Sequence, residues 1–214
     1  MDMQAQAAVA HLSAADPVMA GLVERIGPVQ LSPTNNYFFT LVDAIASQQL
    51  SGKVASTIVE RIRALVPGRT TPDAHDILAL PDEALRGTGL SWGKVGYIKD
   101  LASRVASGQL DLDYIARMDD EEIIRALVAV KGIGRWTAEM FLIFSLARPD
   151  VLAVDDYGLR AAMMRLYSLG ELPTPATMRR IAEPWRPYRS YASLYLWRSV
   201  GDSPKVEAAR TATP

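Results

Sequence analysis

Apolar residues return every three or four positions along most of the chain. Tyr37, Leu41 and Ile45 mark one such stripe, and Val54, Ile58, Val59, Ile62, Leu65 and Val66 mark the next. That spacing puts side chains on one face of an α-helix, whereas no segment sustains the period-two alternation of a half-buried strand. Glycine and proline punctuate the pattern. Pro67-Gly68, Pro72, Pro81, Gly87, Gly89, Gly108, Gly132, Pro149, Gly170, Pro173, Pro175 and Pro184 bound pieces of about 8–16 residues. The pattern predicts an all-α chain of about ten to twelve helices. Asp119-Asp120-Glu121-Glu122 puts carboxylates on a first helical turn, and Thr174-Pro175 reads as an N-cap followed by proline at the first helical position. There is no repeat of fixed period, and the polar stretch Lys205–Pro214 is expected to fray.

Composition narrows the chemistry. The 214 residues fit one large or two small domains, and 49% hydrophobic with 22% charged residues is the mix of a globular chain that buries a core. The absence of cysteine excludes disulfides, zinc-thiolate sites, Cys-ligated iron–sulfur clusters and a thiol nucleophile. His11 and His75 are the only histidines and are far apart in sequence, so neither offers the paired spacing of a helical metal site. No apolar run approaches the ~20 residues of a membrane span, and Met1–Gln6 lacks the basic start of a signal peptide. A cytoplasmic protein is the default expectation. The net charge of −1 hides an asymmetry: residues from Tyr157 onward carry +5 and residues 1–156 carry −6. A basic C-terminal face permits a local polyanion site.

Two stretches imitate a phosphate loop, Leu50-Ser51-Gly52-Lys53-Val54 and Trp92-Gly93-Lys94-Val95. Each lacks the Ser or Thr after Lys and the earlier Gly that a nucleotide P-loop requires. Gly132-Ile133-Gly134 is no dinucleotide fingerprint either, since no strand precedes it and Thr137 stands where the third glycine belongs. It does lie between two amphipathic helical segments, Ile123, Ile124, Leu127 and Val128 before it and Trp136, Ala138, Met140, Phe141, Ile143 and Phe144 after it. Such a hairpin presents unpaired N–H groups at the second helix's N-terminus, where the dipole favours an anion and glycine lets a phosphate approach. A plain helix–helix turn is the alternative. Twenty residues beyond Trp136 stands Val154-Asp155-Asp156-Tyr157. A helix over roughly 134–147, about 20 Å long, followed by a similar length of extended chain can return one of these acids beside the hairpin. Capping of a helix beginning near Tyr157 is the simpler alternative.

Val130-Lys131-Gly132-Ile133-Gly134-Arg135-Trp136-Thr137-Ala138 followed by Val154-Asp155-Asp156-Tyr157 resembles the helix-hairpin-helix, Gly/Pro-Asp superfamily of DNA base-excision glycosylases. Within it, Ala46-Ser47-Gln48-Gln49-Leu50-Ser51, Leu80-Pro81-Asp82-Glu83-Ala84-Leu85 and Trp185-Arg186-Pro187-Tyr188-Arg189-Ser190-Tyr191-Ala192 resemble the DNA-3-methyladenine glycosylase II, or alkylbase DNA glycosylase, family. The resemblance covers about residues 34–202. It implies an all-α fold of two helical subdomains flanking an active-site cleft, with no N-terminal α/β domain. The expected division is residues 1–34 packing with the C-terminal part, 35–148 carrying the hairpin at about 120–147, 149–205 carrying the catalytic acid, and 206–214 as a flexible tail.

The same resemblance implies the roles. Asp156 is the expected catalytic carboxylate, with Asp155 as runner-up; a fixed carboxylate stabilises the positive charge that develops on the sugar as an N-glycosidic bond breaks. Relatives with lyase activity carry a lysine where this chain has Trp136, so a monofunctional enzyme without an amine nucleophile is expected. Trp136, Trp197 and Tyr191 match base-pocket positions, where an indole face suits a cationic alkylated purine; Trp92 and Trp185 are expected to be packing residues. Gln49 is the favoured wedge that fills the gap left by a flipped nucleotide, with Gln48 and Leu50 close behind. Lys131, Gly132, Gly134, Arg135 and Thr137 are expected at the DNA backbone. The carbonyls of Val128, Val130 and Ile133 match a structural Na+ or K+ site, and no other cofactor is expected.

The implied partner is double-stranded DNA containing alkylated bases, 3-methyladenine and 7-methylguanine first, acted on by a monomer. Two other readings stay open: a non-catalytic helix-hairpin-helix DNA-binding module, and a glycosylase for oxidised or mismatched bases. Asp156 argues against the first. The missing lysine and cysteines argue against the second.

Overall fold

Asp2 opens the first helix by accepting the Ala5 N–H at 2.7 Å, and Ala5, Ala8 and Leu12 form its buried stripe. In this computed structural model, which describes residues 2–201, the elements in chain order are α1 (Met3–Ala15), α2 (Pro17–Ile26), α3 (Tyr37–Ser47), α4 (Gly52–Ala64), α5 (Ala74–Ala79), α6 (Asp82–Gly87), α7 (Trp92–Ala106), α8 (Leu112–Ile115), α9 (Asp120–Val128), α10 (Arg135–Phe144), α11 (Tyr157–Leu166), α12 (Pro175–Ala182), a 3-10 turn (Glu183–Trp185) and α13 (Arg189–Ser199). No strand occurs among the described residues, so the fold is all-α as the periodicity predicts. The helix number slightly exceeds expectation because α5, α6 and α8 are only 4–6 residues long, too short for a periodic stripe to show. No helix among the described residues is long and apolar enough to cross a membrane. The tail expected over residues 206–214 lies outside the described residues.

Two units are present. The first combines the described residues up to Pro33 with those from Leu142 onward, and the second is Thr34–Phe141; the division falls inside α10. In the first unit, α2 and α11 pack on α13, and α1 packs on α2. Asp16 ties this unit together from a helix cap. Its Oδ1 accepts the Val18 N–H at 2.8 Å at the start of α2, where Pro17 occupies the first position, while its Oδ2 accepts the Tyr167 hydroxyl at 2.6 Å and the Trp185 indole N–H at 2.8 Å. Trp185 is fully buried, the packing residue the sequence suggests. Burial and the Asp16 charge both push the Tyr167 phenol up. Thr174 caps α12 by accepting the Thr177 N–H at 3.2 Å, with Pro175 first in the helix. His11 is structural, its Nε2 lying 2.9 Å from the Pro184 carbonyl oxygen and its ring 5.4 Å from Tyr188.

In the second unit α7 is central, with α3, α5 and α6 packed on it. Val95, Ile98, Leu101 and Ala102 of α7 and Phe38, Phe39, Leu41, Val42, Ile45 and Ala46 of α3 are buried. Each large aliphatic side chain so buried contributes roughly 1.5–3 kcal/mol against exposure. α9 begins as its acids require: the Glu122 carboxylate accepts the Asp119 N–H at 3.3 Å. A polar stripe of α7 holds the loops that carry the candidate chemistry.

Candidate functional site

Asp156 is the last residue of a segment held at both ends. At its start α10 stops: Ala147 takes φ 53°, and the Arg148 N–H donates back to the Leu142 carbonyl at 2.9 Å. The helix therefore ends at Phe144, three residues short of expectation. Asp150 then accepts from Arg189 Nε at 2.6 Å and Arg186 Nη1 at 2.9 Å, and the buried Val151 N–H donates to Ser190 Oγ at 2.9 Å. Val151, Leu152, Ala153 and Val154 are all buried, so four apolar side chains fix the run leading to the acid, which ends in a turn where the Asp156 N–H donates to the Ala153 carbonyl at 3.1 Å.

Asp156 itself is 7% exposed and Asp155 is exposed, which separates two acids that sequence left as first choice and runner-up. Asp156 Oδ1 accepts the Leu159 N–H at 2.7 Å, capping α11, and also accepts the Trp197 indole N–H at 2.9 Å. Capping and a site role are thus compatible in one residue. The cap fixes the carboxylate at a helix N-terminus, and the indole fixes its rotation. Such a preset carboxylate, largely withdrawn from water, can stabilise a developing cation without having to reorganise.

Two of the three expected pocket aromatics are buried. Trp197 is 1% exposed, with its ring 5.7 Å from Phe144 and its indole N–H on the Asp156 carboxylate. Tyr191 is fully buried, with its hydroxyl 3.4 Å from Gln4 Oε1 and its ring edge-on to Tyr188 at 6.0 Å. It faces α1 because six residues along a 3.6-residue helix place it well around α13 from Trp197. Burial, with the Asp2 charge, pushes its phenol up to about 12. Trp136 differs: it belongs to the second unit, near the start of α10, and is 41% exposed. Trp92, expected to pack, is instead 58% exposed as the first residue of α7, and Tyr157, next to Asp156 and not anticipated, is 69% exposed.

The hairpin is built within the second unit. Val130 and Ile133 are buried anchors, and the Ile133 N–H donates to the Val130 carbonyl at 3.1 Å, closing the turn. Gly132 takes φ 80°, and a Cβ there would sit 2.2 Å from the Tyr97 ring, so both backbone and neighbour demand glycine. Gly134 has nothing within 4 Å of a Cβ; its carbonyl accepts the Ala138 N–H at 3.1 Å and so starts α10. Lys131 is exposed, and its N–H donates to Asp100 Oδ2 at 3.0 Å. Thr137 is 6% exposed, so its side chain is withdrawn from the surface.

Arg135, expected at the DNA backbone, is tied to two acids of its own unit, Nε to Glu139 Oε1 at 3.0 Å and the guanidinium tip to Glu121. Its hydrogen bonds and charge hold the Glu121 carboxyl below its usual range. A phosphate would have to compete with Glu121 for it. Similarly, Arg160, Arg186 and Arg189 bond to Pro173 or Asp150, which uses up part of the C-terminal positive surplus.

The turn after α3 adjoins the hairpin. Gln49 is exposed at φ 56°, Leu50 is half-buried, and the Gln48 side-chain amide donates to the Gly132 carbonyl at 2.9 Å. Of the three wedge candidates, Gln49 alone stands exposed, because Gln48 is engaged with the hairpin. Lys94 Nζ donates to the Ala46 and Gln48 carbonyls at 2.9 and 2.7 Å. Lys94, Tyr97 and Asp100 therefore hold the turn, Gly132 and Lys131 from one stripe of α7, and sequence reading missed all three in this role. Their spacing of three residues opposite a glycine turn was the available signal. Val128, Val130 and Ile133 supply the carbonyls matched to a cation; that of Val130 already accepts one N–H and keeps its second lone pair. No cluster of three or more His, Asp or Glu suited to a metal occurs among the described residues.

A helical hairpin with a glycine turn, an exposed polar tip beside it and a buried capping aspartate downstream define the class, and comparison with known proteins agrees. Residues 42–187 match the HhH-GPD superfamily of base excision DNA repair proteins, and the chain belongs to that superfamily. Among curated relatives it is similar to DNA-3-methyladenine glycosylase 1 of Schizosaccharomyces pombe, 35% identical over 193 residues that cover 88% of this chain and 85% of the relative. Among solved structures it resembles the S. pombe 3-methyladenine DNA glycosylase in complex with abasic DNA, with a TM-score of 0.80, 34% identity, and coverage of 91% of this chain and 96% of that one. A DNA-3-methyladenine glycosidase from Bacillus halodurans gives a TM-score of 0.82 at 40% identity, covering 91% and 89%.

Proposed function

We propose that this protein is a monofunctional DNA glycosylase that flips alkylated bases, 3-methyladenine and 7-methylguanine first, out of double-stranded DNA and hydrolyses their N-glycosidic bonds in base excision repair. The observation that carries the reading is Asp156: a buried aspartate capping α11 and oriented by Trp197, in a chain whose relatives are named 3-methyladenine glycosylases. As the bond from the sugar C1′ to the base nitrogen breaks, its electron pair leaves with the base and positive charge grows on the sugar. Asp156 stabilises that charge, and water adds at C1′ through its oxygen and releases a proton to solvent, leaving an abasic site. An N-alkylated purine is already cationic, so departure neutralises it, and little leaving-group assistance is required from the protein.

The second unit does the holding. Backbone N–H groups at the start of α10, with Lys131 and the open face of Gly134, receive a phosphate. The carbonyls of Val128, Val130 and Ile133 would hold a monovalent cation, which supplies positive charge toward that phosphate when bound. Gln49 enters the stack that the flipped nucleotide leaves. Trp136 offers an indole face and, having no amine, forms no Schiff base with the sugar. The test is incubation with methylated duplex DNA, mass spectrometry of the released bases, and a separate assay for strand breaks before alkali. Free methylated purines and intact strands are expected. DNA binding without release would favour the non-catalytic alternative.

A further inference from the structure

We propose that Lys94 is the positioning residue of the wedge turn, holding Gln49 in its insertion geometry and in register with the hairpin; the inference rests on the reading of Gln49 as the inserted side chain. The C-terminal carbonyls of a helix lack intrahelical partners and carry partial negative charge. At the end of α3 one ammonium takes two of the carbonyls around the turn, Ala46 at 2.9 Å and Gln48 at 2.7 Å. Fixing the Gln48 carbonyl fixes the peptide plane that leads into Gln49, which sits at φ 56°, a backbone conformation that side-chain-bearing residues rarely adopt. The Gln48 side chain meanwhile reaches the Gly132 carbonyl at 2.9 Å.

Further along the same stripe of α7, Tyr97 lies against Gly132 and Asp100 accepts the Lys131 N–H at 3.0 Å. Wedge turn and hairpin are therefore held by one helix face as a single body. A wedge works against base stacking only if its support does not yield. An ammonium suits this place because its three donors on a long stem can serve two carbonyls at once.

The test compares wild type, K94M, K94R, Q49A and K94M/Q49A in single-turnover release of an alkylated purine from a duplex and from a single strand. Fluorescence of 2-aminopurine beside the lesion reports unstacking independently of chemistry. K94M is expected to lose at least tenfold in rate on the duplex but no more than about threefold on the single strand, where there is no paired stack to fill. It should also lose the fluorescence rise, and K94R should recover most of both. K94M/Q49A should be no slower than Q49A, since the lysine acts through the glutamine. Equal losses on both substrates, additive losses in the double variant, or a K94M rate indistinguishable from wild type would overturn the proposal. If K94M lacks a cooperative melting transition, K94Q, which removes the charge and shortens the reach to the two carbonyls, carries the same comparison against Q49A and K94Q/Q49A. Wild type that releases no base from either substrate and unstacks no probe would instead overturn the glycosylase reading, and this inference with it.

Discussion

The Trp197 indole N–H and the Leu159 backbone N–H converge on a single oxygen, Oδ1 of Asp156, at 2.9 and 2.7 Å. One donor comes from the helix the aspartate caps and the other from the last turns of α13, so the carboxylate is set by two elements rather than one. Trp197→Phe removes the side-chain donor and keeps most of the packing. It should lower single-turnover excision about tenfold with DNA affinity little changed, and cost roughly 1–3 kcal/mol of stability for the lost charged hydrogen bond. Quench-flow excision and urea unfolding check both.

The absence of an amine at Trp136 has a chemical signature. Borohydride added during turnover should trap no covalent protein–DNA complex, because no Schiff base forms. A trapped band abolished by Lys131→Gln would reassign the enzyme as a lyase.

The two hairpin glycines should behave oppositely. Gly132→Ala puts a methyl group into the Tyr97 ring and an alanine at φ 80°, and should cost about 2 kcal/mol or more in stability. Gly134→Ala meets nothing in the protein and should leave melting within a degree or two, yet weaken DNA binding several-fold by blocking phosphate approach. Thermal melts and fluorescence anisotropy on the two variants separate these effects.

Tyr191 ties stability to alkaline pH. Its folded-state phenol is raised from 10.0 to about 12, so the unfolded chain ionises first. The stabilisation is complete below pH 10 and is lost as pH rises from about 10 to 12. Tyr191→Phe should flatten that limb of the stability–pH curve, and Tyr167→Phe should add to the effect, since its phenol is also raised. Urea melts across this range would show it.

The fold was legible because helices advertise themselves at a 3.6-residue period and their ends by caps, as at Thr174-Pro175 and Asp119–Glu122. The helix end at Phe144 was not, because α10 stops through a left-handed Ala147, a conformation that alanine does not announce. At the site, glycine spacing and the Asp155-Asp156 pair were visible as local signals. The direction of an aromatic was not: Trp197 and Tyr191 share α13 and a residue class, yet one meets Asp156 and the other Gln4. Lys94 was legible only as a failed phosphate loop, since its partners Ala46 and Gln48 lie more than forty residues earlier.

If the Asp156 carboxylate, and no neighbour, stabilises the sugar cation, then Asp156→Asn must disable excision, because it keeps the shape and an oxygen able to accept the Leu159 and Trp197 donors while removing the charge. The prediction is a loss of at least 100-fold in single-turnover release of 3-methyladenine, with DNA affinity within a few-fold of wild type and Asp155→Asn nearly unaffected. Near-wild-type release by Asp156→Asn would show that another group stabilises the cation.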